Sequence, residues 1–391
     1  MSKKRGHGEG TIDARGENSW RLRYRVNGKR FAVTVHGTLS DARRRLRELL
    51  LSGDNGTHVA PARITFRAWT TEWLALRQRK ISAKTAEHYS ELLPVHVLPA
   101  LGERPLQTID IADIDALYND LSQRLSARSV HHIHVILKSC LATAVLKRRL
   151  ADNPVARADA PQTKDSDAWN VLDEMQLNAL VCGFKRTSLY LFVAVAAFTG
   201  MRRNEMLALR WTDVDFGKSI IKVYRSLEET KRLGHPRDRT VKEPKTERGK
   251  RTISIDAVLL DLLRVEHERH LRLMTGVPDR ADVSLTLMRL PAEALVFPSP
   301  MLPFDFTRFR NPTSTTKEFM RHAAKLGFPI RLHDLRHSHG TILLNKGVPI
   351  HEVAGRLGHD PAVLLRTYAH RLPKVDERTA EIIGGMTKGV L

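Results

Sequence analysis

Leu332-His333-Asp334-Leu335-Arg336-His337 is the stretch on which the reading of this chain turns. At helical spacing His333 and Arg336 fall on one face, a turn apart. That pair can clamp a phosphate or serve as a structural cap, and the segment alone does not choose. Upstream, Phe198-Thr199-Gly200-Met201-Arg202-Arg203-Asn204-Glu205 ends an apolar helix at Gly200, which can adopt the left-handed cap. A second helix opens there with Arg202 near its amino end and Glu205 one turn on. An arginine beside free helix N–H groups suits a phosphate, whereas the bland alternative is an ion pair with Glu205 across one turn. Between these islands, Pro244-Lys245-Thr246-Glu247-Arg248-Gly249-Lys250-Arg251 reads as the basic tip of a β-hairpin. Downstream, Leu357-Gly358-His359-Asp360-Pro361 ends one short helix and starts another, and Thr367-Tyr368-Ala369-His370 lies toward the end of the latter.

Composition narrows the classes. The chain has 391 residues, enough for two or three domains, and is 42% hydrophobic, enough for real cores. Its formal net charge of +21 points to a polyanionic partner, with nucleic acid first. Two isolated cysteines, Cys140 and Cys182, form neither a zinc cluster nor a disulfide framework; both are expected as buried small hydrophobes. No apolar run is expected to reach membrane-spanning length, and the basic start Met1-Ser2-Lys3-Lys4-Arg5 lacks the apolar core of a signal peptide. The expectation is a cytoplasmic protein with no membrane partner, associated with the nucleoid when bound to DNA.

The expected fold is multidomain and mainly α, with a small amino-terminal β-sheet plus helix, a helical bundle, and a larger α+β unit. In the first unit, residues 1–55, Trp20, Leu22, Tyr24 and Val26 alternate with Arg21, Arg23 and Arg25. The period of two puts three guanidinium groups on one face of a strand. Asn27-Gly28 marks a tight hairpin, Lys29 and Arg30 begin the return strand with Phe31, Val33 and Val35, and Ser40 is read as the cap of a helix running to about Leu51. Three strands and one helix are expected. This unit holds thirteen Lys and Arg against six Asp and Glu, and such a face can enter a major groove. A linker covers 56–64. Residues 65–160 read as four helices, near Thr65–Arg79, Ser82–Val97, Asp110–Leu121 and Ala127–Arg149, with Pro99, Gly102 and Pro105 breaking the middle. Lys84 and Arg128 are candidate DNA contacts there. Residues 165–391 form the largest unit, helical apart from a β-rich insertion between about Trp211 and Ile255.

Taken in order, Arg202, Lys245, His333-x-x-Arg336, Gly358-His359 and Tyr368 resemble the pattern of the tyrosine recombinase (phage integrase) family. The local wording agrees as well, in Thr-Gly-x-Arg-x-x-Glu, Pro-Lys-Thr, His-Asp-Leu-Arg-His, Leu-Gly-His and Thr-Tyr-Ala-His. The resemblance covers the whole carboxy-terminal unit. Residues 65–160 are similar to the family's core-site DNA-binding domain, and 1–55 to its arm-site DNA-binding domain, on pattern rather than signature.

The resemblance implies a site-specific recombinase that cuts and rejoins DNA through a 3′-phosphotyrosyl intermediate. A phosphodiester is already anionic, so attack needs a positive clamp, a nucleophile and an acid for the leaving group. Arg202 and Arg336 suit the clamp. By resemblance His333 and His359 assist, Lys245 protonates the departing oxygen and Tyr368 is the nucleophile. Glu205 supports the arginine region, Thr199 and Gly200 shape the turn, and His337 and His370 lie behind the site or on the surface. Trp211 is read as core. No cofactor, metal or ATP is expected. Expected partners are double-stranded attachment sites, three further copies in a synaptic homotetramer formed from monomers, and DNA-bending and directionality proteins. A weak apolar stripe of Ile382, Ile383, Met386 and Val390 in the tail is a candidate for docking on a neighbouring subunit. The alternatives are a type IB topoisomerase, which would relax plasmids lacking any dedicated site, and a DNA-binding regulator on an inactive scaffold, which would form no covalent adduct.

Overall fold

Asn27 and Gly28 take φ of 52° and 77° in the computed structural model, the paired left-handed geometry that a two-residue hairpin requires. The structure describes residues 10–55, 58–159, 162, 170–231, 237–244, 247–279 and 281–368, without the side chains of Glu247, Thr367 and Tyr368. The hairpin belongs to an antiparallel meander of β1 (Thr11–Gly16), β2 (Ser19–Val26) and β3 (Lys29–His36), in that order. Leu22, Tyr24 and Val26 are buried on one face, against Ala42 and Leu46 of α1 (Leu39–Asp54). Arg21, Arg23 and Arg25 occupy the other face. Arg21 lies opposite Asp13 and Thr34, and Arg25 opposite Arg30. Lys29 is paired with Val26 and so falls on the apolar side, at the turn.

The cap of α1 is Thr38 rather than Ser40, which lies inside the helix. Asp41 decides this: its backbone N–H donates to Thr38 Oγ1 at 3.2 Å, and its carboxylate accepts the Thr38 N–H at 3.1 Å. The helix also runs on to Asp54, with Gly53 so close to Val26 that a Cβ would meet its Cγ2 at 2.8 Å. His58, expected in a linker, packs on the sheet and hydrogen-bonds the Tyr24 hydroxyl at 3.0 Å.

A separate core is built by α2 (Phe66–Gln78), α3 (Ala83–Leu92), α4 (Leu98–Leu101), α5 (Ile111–Ser122) and α6 (Ala127–Leu146). Thr65, Ser82, Asp110 and Ser126 each accept a backbone N–H three residues on, and so start their helices. The chain stays helical from α3 to α4 through a π turn at Leu93–Val97, past the expected break at Pro99. Pro94 and Pro99 sit in the first turn of a helical segment, where a missing N–H is tolerated. Phe66, Trp69 and Trp73 are fully buried, contributing about 1.5–3 kcal/mol each. By length and composition α6 could cross a membrane, contrary to the sequence reading. Its Val130, Ile133, Leu137, Cys140, Leu141 and Ala144 instead fill this core.

The unit beginning at 166 is described on its own. Its helices are α7 (Glu174–Gly183), α8 (Tyr190–Thr199) and the one-turn α9 (Arg203–Met206). Then come β4 (Val214–Asp215), β5 (Ile220–Val223), β6 (Ser226–Lys231), β7 (Arg237–Lys242) and β8 (Arg251–Ser254). The chain closes with α10 (Ala257–Thr275), α11 (Pro312–Lys325), α12 (Leu332–Asn345), α13 (Ile350–Leu357) and α14 (Pro361–Tyr368). Strands β4, β5 and β8 form one sheet, with Ile221 and Ile253 opposed and buried; β6 and β7 form another. The segment 243–250 therefore connects two sheets and is not a hairpin tip. Apolar α8 is wrapped by the core, and Trp211 is buried, donating Nε1–H to His270 Nδ1 at 3.0 Å. Cys140 is buried, but Cys182 is exposed, because only Val181 of that pair points into the core.

Replacing Thr38 by Ala removes the α1 cap and is expected to destabilise the amino-terminal sheet-and-helix by about 1 kcal/mol. Denaturant unfolding followed at Trp20 would measure it, and an unchanged midpoint would contradict the capping role.

Candidate active site

Gly200 closes α8 with φ of 64°, and a Cβ there would meet Leu357 Cδ2 at 2.6 Å. Glycine is required for both the turn and the close approach of α13. The turn is tied by Thr199, whose hydroxyl donates to the Val195 carbonyl at 2.5 Å and accepts the Met201 N–H at 3.2 Å. The chain thus delivers Arg202 to the first position before α9.

Glu205 holds Arg202 there. One carboxylate oxygen accepts from Arg202 Nη1 at 2.8 Å and Arg251 Nη1 at 3.1 Å; the other accepts from the Arg202 backbone N–H and Arg251 Nη2, each at 2.8 Å. A carboxylate offers about four lone-pair positions, and all are used. Burial alone would raise the Glu205 carboxyl, but hydrogen bonding to Arg251 and the charges of Arg251 and Arg202 outweigh it and hold the group down at about 2.

Arg336 comes from α12 and is 2% exposed. Its Nη1 donates to the Gly200 carbonyl at 2.6 Å and its Nη2 to the Leu357 carbonyl at 2.5 Å. Arg202 Nη2 donates to the Gly358 carbonyl at 3.1 Å. Both guanidinium groups therefore grip the end of α13, where Gly358 turns with φ of 66° and presents His359. A Cβ on Gly358 would meet the Arg248 carbonyl at 2.9 Å.

Three histidines complete the cluster. His333 is exposed by surface area yet sits in crowded surroundings; desolvation there, then the charges of Arg336 and Arg202, lower its pKa. His337, one turn on, stands edge-to-face with His333 at 4.8 Å and is buried, which places it behind the site rather than on the surface. Burial, with His333 beside it, pulls His337 down to about 4. His359 is half-buried, and burial followed by the Arg336 and Arg202 charges pulls it to about 3. At neutral pH the His337 and His359 rings are uncharged, so each can donate one hydrogen bond and accept another, and His333 is shifted the same way.

The structure brings together Arg202, Glu205, His333, Arg336 and His359. Lys245 and His370 lie outside the described residues, as does the tail stripe from Ile382 to Val390. Tyr368 is the last residue of α14, which starts two residues after His359, and its side chain lies outside the described residues. The ends of the Lys245 segment are described: Pro244 approaches Gly249, and Arg248 makes an ion pair with Asp360, next to His359.

Three residues of the network escape the sequence reading. Arg251, inside a quoted island, binds both oxygens of Glu205. Arg356 donates to the carbonyls of Phe198 and Ser254 at 3.0 and 3.1 Å, and to His339 Nε2 at 3.1 Å. His339 Nδ1 in turn donates to the Ala197 carbonyl at 2.9 Å. A basic residue beside a strand or at a helix end carries no periodic signal, and only the clash of glycine-tight turns hints at such packing.

With this geometry in hand, the relatives are informative. Residues 170–374 match the phage integrase family, and residues 66–160 match the phage integrase central domain. An integrase of Streptomyces ambofaciens is 27% identical over 413 residues, covering 99% of both chains. The Tn1549 transposon integrase, solved with a circular intermediate DNA, superposes with a TM-score of 0.65 at 18% identity, over 82% of this chain and 98% of that one. A lambda integrase tetramer bound to a Holliday junction gives 0.56 at 17% identity, over 89% and 95%. These two neighbours share the fold.

The neutral histidines set a pH dependence. Folded values of His337 and His339 near 4 and of His359 near 3 lie below the unfolded value of about 6.5. The unfolded chain thus binds more protons below about pH 6.5, and stability is lost as pH falls through that window. The loss approaches about 1.4 kcal/mol per pH unit for each histidine. Denaturant unfolding across this range is expected to show the decline, with a shallower slope for His339→Asn; a flat profile would refute the buried neutral state.

Proposed function

The chain belongs to the phage integrase family, and from that premise we propose that it cuts and rejoins DNA through a 3′-phosphotyrosyl link at Tyr368. As a family member it is a site-specific tyrosine recombinase that integrates mobile DNA. The observation that carries the residue-level reading is the convergence of Arg202, Arg336, His333 and His359 around one small volume beside the start of α14.

In this reading Arg202 and Arg336 bind the nonbridging oxygens of the scissile phosphate. The Gly200 and Leu357 carbonyls orient Arg336. Tyr368 attacks phosphorus, and the bond to the 5′ oxygen breaks. The tyrosine proton passes to neutral His333, and the 5′ oxygen takes a proton from Lys245. His359 donates a hydrogen bond to the phosphate. A 5′ hydroxyl from a partner strand then reverses these steps and releases the tyrosine, which conserves the ester energy. The same chemistry run on recombinant sites excises the element.

The assembly around this chemistry is also proposed. The bundle of α2–α6 would grip the core site, with Lys84 and Arg128 at the DNA; Lys84 also pairs with Glu87 at 2.8 Å. The β1–β3 sheet would bind an arm site through Arg21, Arg23, Arg25 and Arg30, with Lys29 reaching from the turn. Arg25 opposite Arg30 is unfavourable within the sheet and is relieved by an anion, although Asp13 offsets part of Arg23 at 3.3 Å. Monomers would assemble into a tetramer on two attachment sites, aided by DNA-bending and directionality proteins, in the cytoplasm.

Tyr368→Phe is expected to bind attachment-site DNA but form no covalent adduct; any adduct resistant to denaturing gels would assign the nucleophile elsewhere. Lys245→Ala is expected to slow cleavage by about 10²-fold or more. A substrate with sulfur in place of the bridging 5′ oxygen needs no proton to leave, so it should restore the rate, and failure to do so removes Lys245 from the acid role. Replacing Arg21, Arg23 and Arg25 together by Ala is expected to reduce the salt dependence of arm-site binding, its logarithmic slope falling by about 0.9 for each phosphate no longer neutralised, while core-site cleavage is kept. An unchanged slope would exclude that face.

A further inference from the structure

We propose that Arg251 is a positioning residue for strand cleavage, acting through Glu205 on Arg202 and through the backbone on the turn that presents His359. It rests on the reading of Arg202 and His359 given above. Four observations carry it. Arg251 Nη1 and Nη2 occupy one position on each Glu205 oxygen, and Arg202 takes the remaining two. Arg251 Nε donates to the Arg356 carbonyl at 2.8 Å, in the last turn of α13, two residues before Gly358. Arg251 Nη1 also donates to the Gly249 carbonyl at 3.2 Å, at the end of the segment that carries Lys245. Finally, Gly358 lies against the Arg251 side chain so closely that a Cβ would meet its Nη1 at 3.1 Å and its Cδ at 3.2 Å. One guanidinium, its side chain 5% exposed, thus spans three islands of the sequence.

Lysine cannot reproduce this arrangement. A fork of donors satisfies two carboxylate oxygens and two carbonyls at fixed angles, whereas an ammonium is a single point. Loss of Arg251 leaves Glu205 buried with half of its partners. Its carboxyl, released from the first of the charges that hold it down, would rise toward the range set by burial, and among the described residues Arg202 is then the cation left facing it. Protonated Glu205 grips Arg202 weakly, so cleavage would acquire a dependence on acid beyond the one the histidines set.

The test measures binding and cleavage separately, using a nicked attachment-site duplex that traps the covalent adduct. Arg251→Gln is expected to bind this DNA within about twofold of wild type but to cleave about 10²-fold more slowly, the scale of a misplaced reacting group. Its rate should fall more steeply toward low pH than that of wild type, and the added dependence should be removed by Glu205→Gln. Arg251→Lys should recover part of the rate. If Arg251→Gln does not fold, Arg251→Lys carries the test, since it keeps the buried charge; slowed cleavage with retained binding supports the role. Wild-type cleavage in either variant overturns it. So does slowed cleavage with the wild-type pH profile in Arg251→Gln, which would mark Arg251 as mere packing. Loss of all adduct from wild type itself would instead strike the underlying recombinase reading.

Discussion

The buried carboxylate of Glu205 is the constraint from which the rest of the site follows. Placing one negative charge at 3% exposure is expensive unless every acceptor position is filled. Arg202 and Arg251 fill all four. Removing one partner from such a pair costs about 3–5 kcal/mol in general, so the geometry has little freedom. The partly exposed Arg202 is therefore held by an anion that is buried beneath it. Glu205 fixes the Arg202 backbone as well as its side chain, which couples the guanidinium to the helix start rather than leaving it on a flexible stem.

Around that anchor the site gathers more positive charge than it neutralises. Arg202, Arg251, Arg336 and Arg356 lie close together, with Glu205 as the buried carboxylate among them. Arg336 and Arg356 are oriented by backbone carbonyls, whose dipoles direct a guanidinium without cancelling its charge. Burial is the main reason the nearby histidines lose basicity, and the surrounding positive charge adds to it: a further proton would be desolvated and repelled. In the proposed reaction an arriving phosphate would change both terms: it would offset the arginines and favour charge on the rings beside it, which suits a step in which a tyrosine loses a proton.

Much of this is legible in the sequence, and the limits have physical causes. The β2 alternation, the Asn27-Gly28 turn and the caps at Thr65, Ser82, Asp110 and Ser126 are local, and local chemistry decides them. Ser40 misleads because Thr38 and Ser40 are equally good caps in isolation; Asp41, which answers back to Thr38 alone, makes the choice. Cys182 misleads because an apolar neighbourhood in sequence does not fix which helical face turns inward. The segment 243–250 reads as a hairpin tip because two strands flank it, but strand pairing is nonlocal, and β8 joins β5 instead of β7. The catalytic set is legible only as an ordered series. Residue by residue each island has an equally good structural explanation, and the ion pair of Arg202 with Glu205, the bland alternative, is real.

That last point sharpens what an ion pair means in such a site. Structural and functional roles for Arg202 are not rivals, because a cation that must grip a phosphate at a defined angle first needs a fixed partner. The partner has to be buried, or water and salt would loosen it. It must also have its remaining acceptor positions filled, or it would not stay charged where it is buried. Arg251 meets that second requirement: it takes the other position on each Glu205 oxygen and, with Arg202, holds the carboxyl down. A lone Arg–Glu pair would leave half of the buried acceptors unfilled and the carboxylate easier to protonate; the shared carboxylate stays charged and fixed in place, and in the proposed reading it fixes the Arg202 guanidinium for the phosphate.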